Sequence, residues 1–208
     1  MRLTRIWGLT GGIASGKSTA AAILEELGAA IVDCDRVSRE LTQPGQPLLA
    51  ALARQFGPQI LDGAGRLRRR YLGELVFADP QRLEALNELV HPAIWRTTFK
   101  EADQAARRWP IVFVVAPLLF EHGAEAAFDG VLVVDISPSL QLERLRQRDK
   151  LNLKEAQERI SAQMSLEDKA SRATVVVENN GSRSHLESQL RAFWEERIAP
   201  VYDGCARS

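Results

Sequence analysis

The stretch Thr10-Gly11-Gly12-Ile13-Ala14-Ser15-Gly16-Lys17-Ser18-Thr19 constrains this chain more than any other. Gly11, four intervening residues and then Gly16-Lys17-Ser18 give the spacing G-x-x-x-x-G-K-[ST] without a mismatch. Glycines let the backbone wrap inward so that successive N–H groups converge on one anion, and a helix starting there adds its dipole. Lys17 then reaches the outer phosphates of a nucleotide as a mobile point charge, while the Ser18 hydroxyl sits on Mg²⁺. The flanks agree. Residues 3–9 read as a short apolar strand with Ile6, Trp7 and Leu9; Ala20, Ile23, Leu24 and Leu27 recur at helical spacing, and Gly28 stops the helix. A glycine-rich turn with no ligand needs neither the lysine nor the hydroxyl.

The rest of the chain supplies what surrounds such a loop. Residues 29–32 form an apolar run that delivers Asp33 and Asp35 to a strand end, where strand alternation puts both on one side. Ligands of open α/β sheets bind at the carboxyl ends of the strands, so a catalytic or metal role is expected for at least one of them; the alternative is that Asp35 caps a helix starting near Arg36. A turn at residues 43–47 leads to a helix with Leu48, Leu49, Leu52 and Phe56 that ends at Gly57-Pro58. A loop from Asp62 then runs into Arg66, Arg68, Arg69 and Arg70, a solvated face or a place to hold an acidic substrate. Asp79-Pro80 starts a helix that His91-Pro92 is expected to break or kink, with Ile94, Trp95 and Phe99 on the helix beyond.

Residues 111–116 and 131–135 are two nearly continuous apolar runs, as expected of strands buried on both faces. Glu121, Asp135 or the aspartate pair could each supply the strand-end carboxylate that serves the metal. Ser137-Pro138 caps a helix with Gln141, Arg144 and Arg148 on one face, and a second amphipathic helix carries Ala156, Ile160 and Met164 beside Arg159 and Gln163. Arginines there can close over a triphosphate as a lid. Residues 174–177 make a last strand, Asn179-Asn180-Gly181 its turn, and Ser184 caps a terminal helix with Leu186, Leu190 and Phe193; the tail after Pro200 is expected to be loose.

This order describes one α/β domain: a P-loop NTPase-type parallel sheet of five strands with helices on both faces, a helical substrate-binding insertion and a helical lid. The expected divisions are 1–43, 109–136 and 170–208 for the nucleotide-binding core, 44–108 for the insertion and 137–169 for the lid. With 27 basic and 27 acidic residues among 208, the net charge of +0 gives no global field toward nucleic acid or an anionic membrane, so any anion site is local. Cys34 and Cys205 form no C-x-x-C pair, which indicates neither a disulfide framework nor a zinc site. No apolar run has transmembrane length and no signal-peptide pattern is seen, so a reducing, cytoplasmic setting is expected.

Together these residues resemble the dephospho-coenzyme A kinases, a family of P-loop kinases. The likeness runs in order through residues 9–19, Asp33-Cys34-Asp35, Pro44-Gly45 with Pro47, Phe56-Gly57, Leu67 with Arg69, and Val76-Phe77. It continues through His91-Pro92, Pro117-Leu118-Leu119-Phe120-Glu121, Gln141 with Arg144 and Arg148, Gln163, and Asn180-Gly181. The resemblance implies ATP-dependent phosphorylation of the ribose 3′-hydroxyl of dephospho-coenzyme A, with Mg²⁺. By it Asp35 is the base, with Lys17, Arg144 and Arg148 also catalytic, and residues Gly11, Gly12, Ile13, Ala14, Ser15, Gly16, Lys17, Ser18, Thr19 and Asn180 hold the nucleotide. Asp33, Arg69, His91, Pro117 and Leu118 are implied to contact the acceptor, and Ser18 and Asp33 the metal. The implied partner is the small-molecule substrate alone, with no nucleic acid or membrane, and the chain a monomer or small homo-oligomer. Two positions depart from the family: Ala14 replaces a glycine, which is tolerable if that position has negative φ, and Thr174 stands where an aspartate is usual.

Three other readings share parts of the pattern. A GTPase switch is opposed by the lack of an Asn-Lys-x-Asp guanine-reading segment, although Asp62-x-x-Gly65 imitates one of its motifs. A non-catalytic nucleotide-binding module has no use for a strand-end base and lid arginines. A nucleoside monophosphate kinase or another small-metabolite kinase shares the loop and lid logic and is the remaining alternative.

Overall fold

A computed structural model of the protein describes residues 5–200. The tail after Pro200, with Cys205, and the first two positions of the strand expected over 3–9 lie outside the described residues. The helices are α1 (Lys17–Glu26), α2 (Cys34–Leu41), α3 (Pro47–Phe56), α4 (Arg69–Phe77), α5 (Pro80–Ala105), α6 (Pro138–Asp149), α7 (Leu153–Ser161), α8 (Leu166–Arg172) and α9 (Arg183–Phe193). The strands are β1 (Arg5–Gly11), β2 (Ala30–Asp33), β3 (Ile111–Val115), β4 (Gly130–Asp135) and β5 (Val175–Glu178). Two compact units share them: one runs to Val32 and resumes at Ala102, the other is Asp33–Glu101.

The first unit is built on the expected five-stranded parallel sheet, ordered β2-β3-β1-β4-β5. β1 is central: Trp7 lies opposite Phe113 of β3 on one side and Gly130 of β4 on the other. Every residue of β3 is buried, as a β-branched run without polar residues requires of a strand covered on both faces. Trp7 and Leu9 point into a core with Ile23 and Leu24 of α1 and Leu186, Leu190 and Phe193 of α9. The Phe193 ring meets Trp7 edge-on at 5.2 Å, the tilted geometry aromatic quadrupoles favour. Gly8, between Trp7 and Leu9, points the opposite way, and the side chains of Leu119 and Phe128 press against that position. The sheet is thereby covered on its second face.

Local chemistry fixes the helix starts. Asn152 and Glu155 form a reciprocal capping box at α7, and Ser165 caps α8 by accepting from Asp168 N. Ser182 caps α9 by accepting from His185 N, so the cap is two residues earlier than the expected Ser184, whose hydroxyl is within 2.7 Å of that of Ser182. The expected second lid helix is two: α7 ends at Ser161, and Gln163 and Met164 lie in the connection to α8. Ser165 is the reason, since a side chain that bonds the backbone three residues on starts a new helix there. Thr174 immediately precedes β5, where its N–H donates to Val131 O at 2.9 Å and its Oγ1 accepts from Val131 N at 3.0 Å. The threonine thus extends the β4–β5 pairing.

In the second unit Leu48, Leu52 and Phe56 of α3, Ile60, and Leu72 and Val76 of α4 form a core, with Leu83, Leu86, Leu89, Val90 and Ala93 of α5 packed on it. α5 does not break at Pro92 but continues through it for 26 residues. An internal proline costs roughly 3 kcal/mol. Complete burial of one large apolar side chain is worth ~1.5–3 kcal/mol, so packing of Leu83, Leu86, Leu89 and Val90 before Pro92 and of Ala93 and the buried Thr98 beyond it offsets that cost. β2 ends at Asp33, and α2 begins at once: Asp33 Oδ1 accepts from Asp35 N at 2.8 Å and Arg36 N at 3.4 Å. Asp35 therefore belongs to the first turn of a helix, and the strand alternation expected to align it with Asp33 does not extend that far.

Candidate active site

Residues 11–17 lead from the carboxyl end of β1 into α1. Ser15 N donates to Gly12 O at 3.1 Å, closing a turn, and Gly11, Ala14 and Gly16 have φ of 150, 59 and 97°. Placing left-handed residues among ordinary ones turns N–H groups to one side of the loop and carbonyls to the other, the geometry of an anion nest. The condition under which alanine replaces glycine here without strain, a negative φ, is not met at Ala14. The loop requires the left-handed region at this point, and an L side chain in it costs roughly 1–2 kcal/mol relative to a right-handed conformation. No side chain caps α1, whose first turn carries the exposed Ser18 hydroxyl.

The outward carbonyls are met from within the same unit. Lys17 Nζ donates to Gly11 O at 3.0 Å and to Gly12 O at 2.7 Å, so the lysine is folded back over its own loop. Gln141 Nε2 donates to Ile13 O at 3.0 Å, and Asn179 Nδ2 to Ser15 O at 2.7 Å. Gln163 Oε1 accepts from Ile13 N at 2.8 Å. A Cβ at Gly16 would stand 2.1 Å from Asn179 Nδ2, so glycine is required there by close approach as well as by φ. Asn179 is a contact the sequence did not reveal, because nothing local separates it from Asn180. Asn180, expected at the nucleotide, accepts from Ser137 N at 2.7 Å through Oδ1 and braces the start of α6.

The strand-end acids are not alike. Glu121, beyond β3, pairs at 2.8 Å with Lys169 of α8, which is fully buried, and accepts from Met164 N at 2.9 Å. Burial pushes the Glu121 carboxyl up, but the Lys169 ammonium and the backbone donors outweigh it and hold the group below the usual carboxylate range. A carboxylate so satisfied is a structural tie. Lys169 also donates to Pro117 O at 2.9 Å, and Thr10 Oγ1 donates to the same carbonyl at 3.3 Å. Neither Lys169 nor its burial was legible in the sequence. Asp135 ends β4, where its carbonyl accepts from Asn179 N at 2.8 Å. In the second unit Asp33 is the α2 cap and Asp35 is exposed.

Of the expected lid face, Gln141 turns inward and is buried beside the loop, while Arg144 is partly exposed. Arg148 makes a two-point contact with its neighbour Asp149, at 2.8 and 3.1 Å, and Arg159 of α7 reaches the same carboxylate at 3.0 Å. Asp149 thus gathers one arginine from each of α6 and α7. Pro117 is tied down through its carbonyl, and Leu118 beside it is exposed.

The acceptor residues expected in the second unit fall in separate hollows. Arg69 lines a cavity of about 400 Å³ with Arg68, Arg70, Tyr71 and Glu74. Arg70 is paired with Glu74 at 2.9 Å and Arg68 lies over the Tyr71 ring at 4.8 Å. Arg69 donates to the neutral Thr42 hydroxyl at 2.6 Å, and burial, followed by the charge of Arg39, lowers its pKa from the usual value. Two cations held close in this way suit an anionic group of a ligand. His91 lines another hollow of about 430 Å³ with Pro80, Leu83, Glu84, Asn87, Glu88 and Pro92.

A phosphate nest between the central strand and first helix of a parallel sheet, backed by arginine-bearing helices, defines the P-loop kinases as a class. Comparison with known proteins narrows it. The family model described as dephospho-CoA kinase matches residues 5–185. A dephospho-CoA kinase of Enterococcus faecalis is 42% identical over 196 residues, 94% of this chain and 98% of that protein. Among solved structures, one from Thermus thermophilus superposes with a TM-score of 0.82 at 39% identity, covering 94% of this chain and 98% of that one. The dephospho-CoA kinase of Campylobacter jejuni does so with a TM-score of 0.64 at 26% identity, covering 93% and 97%. The chain belongs to the dephospho-CoA kinase family.

Proposed function

We propose that this enzyme transfers the γ-phosphoryl group of ATP to the ribose 3′-hydroxyl of dephospho-coenzyme A, giving coenzyme A and ADP in the last step of coenzyme A biosynthesis. The observation that carries this reading is the preformed phosphate loop of residues 11–17 in a chain that matches the family over nearly its whole length. Residues 11–19 and Asn180 serve the nucleotide. Lys17 exchanges its two loop carbonyls for phosphate oxygens, a short move for a flexible stem.

Phosphoryl transfer through a loose transition state asks little covalent help, so alignment and charge neutralisation are the main tasks. Asp35 aligns the 3′-hydroxyl and accepts its proton; Arg144 and Arg148 neutralise charge on the transferring group. Arg148 must leave Asp149 to do so. Asp33, Arg69, His91, Pro117 and Leu118 contact the acceptor. Residues 44–108 form the acceptor-binding insertion, 137–169 the lid, and 1–43, 109–136 and 170–208 the nucleotide-binding core.

Among the described residues no three His, Cys, Asp or Glu side chains gather into a metal site. The exposed Ser18 hydroxyl and the Asp33 carboxylate are each a hard oxygen donor of the kind Mg²⁺ takes, and Mg²⁺ keeps several waters among its ligands. Bound there, Mg²⁺ would supply neutralisation of negative charge on the nucleotide phosphates. No helix of the described residues is long and apolar enough to cross a membrane. We place the enzyme in the cytoplasm, as a monomer or small homo-oligomer, without nucleic acid or membrane partners.

The test is ADP release with dephospho-coenzyme A set against a panel of nucleoside monophosphates. Turnover with dephospho-coenzyme A alone is expected; preference for a nucleoside monophosphate would replace this reading with the small-metabolite kinase one.

A further inference from the structure

A loop that turns its N–H groups toward an anion turns its carbonyls away, and carbonyls so placed must find donors elsewhere. In this protein two of those donors are side-chain amides from distant parts of the chain: Gln141 on α6, bonded to Ile13 O, and Asn179 just after β5, bonded to Ser15 O. A third amide, Gln163 in the α7–α8 connection, accepts the Ile13 N–H, so the two ends of residue 13 are held by two different glutamines. Gln141 is 4% and Asn179 7% exposed, which keeps water from replacing these bonds. The fit is close: a Cβ on Gly12 would stand 2.4 Å from Gln141 Nε2, so a side chain there would push that amide off its carbonyl.

The residues gripped, Ile13 and Ser15, flank Ala14, the non-glycine residue of the loop in the left-handed region at φ 59°. A strained conformation persists only where its surroundings over-determine it. Gln163 is itself held in place, since the next residue, Met164, donates its N–H to Glu121, which is locked by buried Lys169. We propose that Gln141, Gln163 and Asn179 are positioning residues that hold the phosphate loop, strained Ala14 included, in its nucleotide-receiving shape before nucleotide arrives. The proposal rests on reading the loop as the nucleotide site, and not on the identity of the acceptor.

The test compares Gln141→Met, Asn179→Ala and Gln163→Met with the unaltered enzyme by ADP titration calorimetry, by steady-state kinetics and by melting temperature. Loss of an anchor should weaken ADP binding by about 10-fold, the scale of one buried hydrogen bond. KM for ATP should rise while KM for dephospho-coenzyme A stays within about twofold, a split that a general loss of stability does not produce. In Gln141→Met/Asn179→Ala the loss should be smaller than the product of the single losses, because a relaxed loop gives the second anchor nothing to hold. Folded variants that bind ADP as the unaltered enzyme does would overturn the proposal. Should the two buried-site variants fail to fold, Gln163→Met decides alone, since that side chain is partly exposed. If the unaltered enzyme binds ADP but does not phosphorylate dephospho-coenzyme A, the proposed function fails and the anchors are still tested; if it does and the variants bind ADP normally, only the anchors fail.

Discussion

In the sheet unit the polar side chains around the candidate site are buried and bonded to backbone: Gln141, Asn179 and Lys169 are 4, 7 and 0% exposed and grip carbonyls of residues 13, 15 and 117. In the helical unit, Asp33–Glu101, the charged groups stand mostly at the surface and pair with one another, as Arg36 does with Glu40 and Glu101, Arg66 with Asp62 and Arg70 with Glu74. Buried amide and ammonium groups with fixed partners cost no reorganisation when charge develops near them. Exposed ion pairs are worth ~0–1 kcal/mol each and can rearrange around a ligand. The difference suits the proposed division of labour, a phosphate donor placed to a fraction of an ångström and an acceptor recognised over a larger, softer surface.

Lys17→Ala is the severest way to break that comparison. Removing one preorganised charge stabiliser from a reacting site costs roughly 10²–10³ in turnover, and Lys17→Ala should reach at least the upper end while melting close to the unaltered enzyme. Near-normal turnover would mean the loop is not the donor site.

Arg144 and Arg148 come next, because they lie in the sheet unit but on its exposed side. An arginine that neutralises a transferring phosphoryl group is worth ~10³ or more in some phosphoryl-transfer enzymes; here Arg144→Ala or Arg148→Ala should lower kcat by ~10²-fold or more, with a smaller loss of ATP affinity. An effect on affinity alone for both would place them in ground-state binding.

Asp35→Asn probes the helical unit. Asparagine keeps the size and one acceptor but loses charge and basicity, so turnover should fall at least ~10²-fold while ATP and dephospho-coenzyme A bind almost normally. Asp33→Asn should instead change the Mg²⁺ requirement and weaken the α2 cap by ~1 kcal/mol or less. If Asp35→Asn keeps its rate and Asp33→Asn does not, the two roles are exchanged.

The phosphate loop, the order of strands along the chain and some helix starts, those of α1, α5 and α6 among them, were legible, because each is written in neighbouring residues: a fixed glycine-lysine spacing, an apolar run, a proline in the first turn of a helix. What stayed hidden depends on residues far apart. Lys169 sits among Glu167, Asp168 and Arg172 and reads as one more surface charge; its partner Glu121 is 48 positions away. Asn179 and Asn180 are adjacent and chemically equal, and only the fold sends one to the loop and the other to α6. Asp35 was misplaced because β2 stops two residues short of it, captured by the Asp33 cap. Pro92 was expected to break or kink a helix that packing carries through it.

Acid should act on the sheet unit through Glu121. Its folded-state pKa lies below the ordinary 4.5, so the Lys169 pair contributes stability that is present above that value and lost as pH falls through the depressed one. Melting temperature should therefore drop below about pH 4.5, and Glu121→Gln should be less stable at neutral pH with a flatter acid limb. An unchanged acid limb would remove Glu121 from the fold's acid sensitivity. The smallest effect expected is from Ala14→Gly, which relieves a left-handed alanine and should raise stability by about 1 kcal/mol or less, partly offset by the greater freedom of glycine in the unfolded chain.

The most direct measurement locates the phosphate. Purified enzyme with MgATP and dephospho-coenzyme A, followed by phosphorus and proton NMR of the isolated product, should show one new monoester on the ribose 3′-oxygen and an equal amount of ADP. Lys17→Ala under the same conditions should form almost none. A phosphate at another position, ADP formed without a phosphorylated acceptor, or an equally active Lys17→Ala enzyme would contradict the assignment of the loop as donor site and of dephospho-coenzyme A as acceptor.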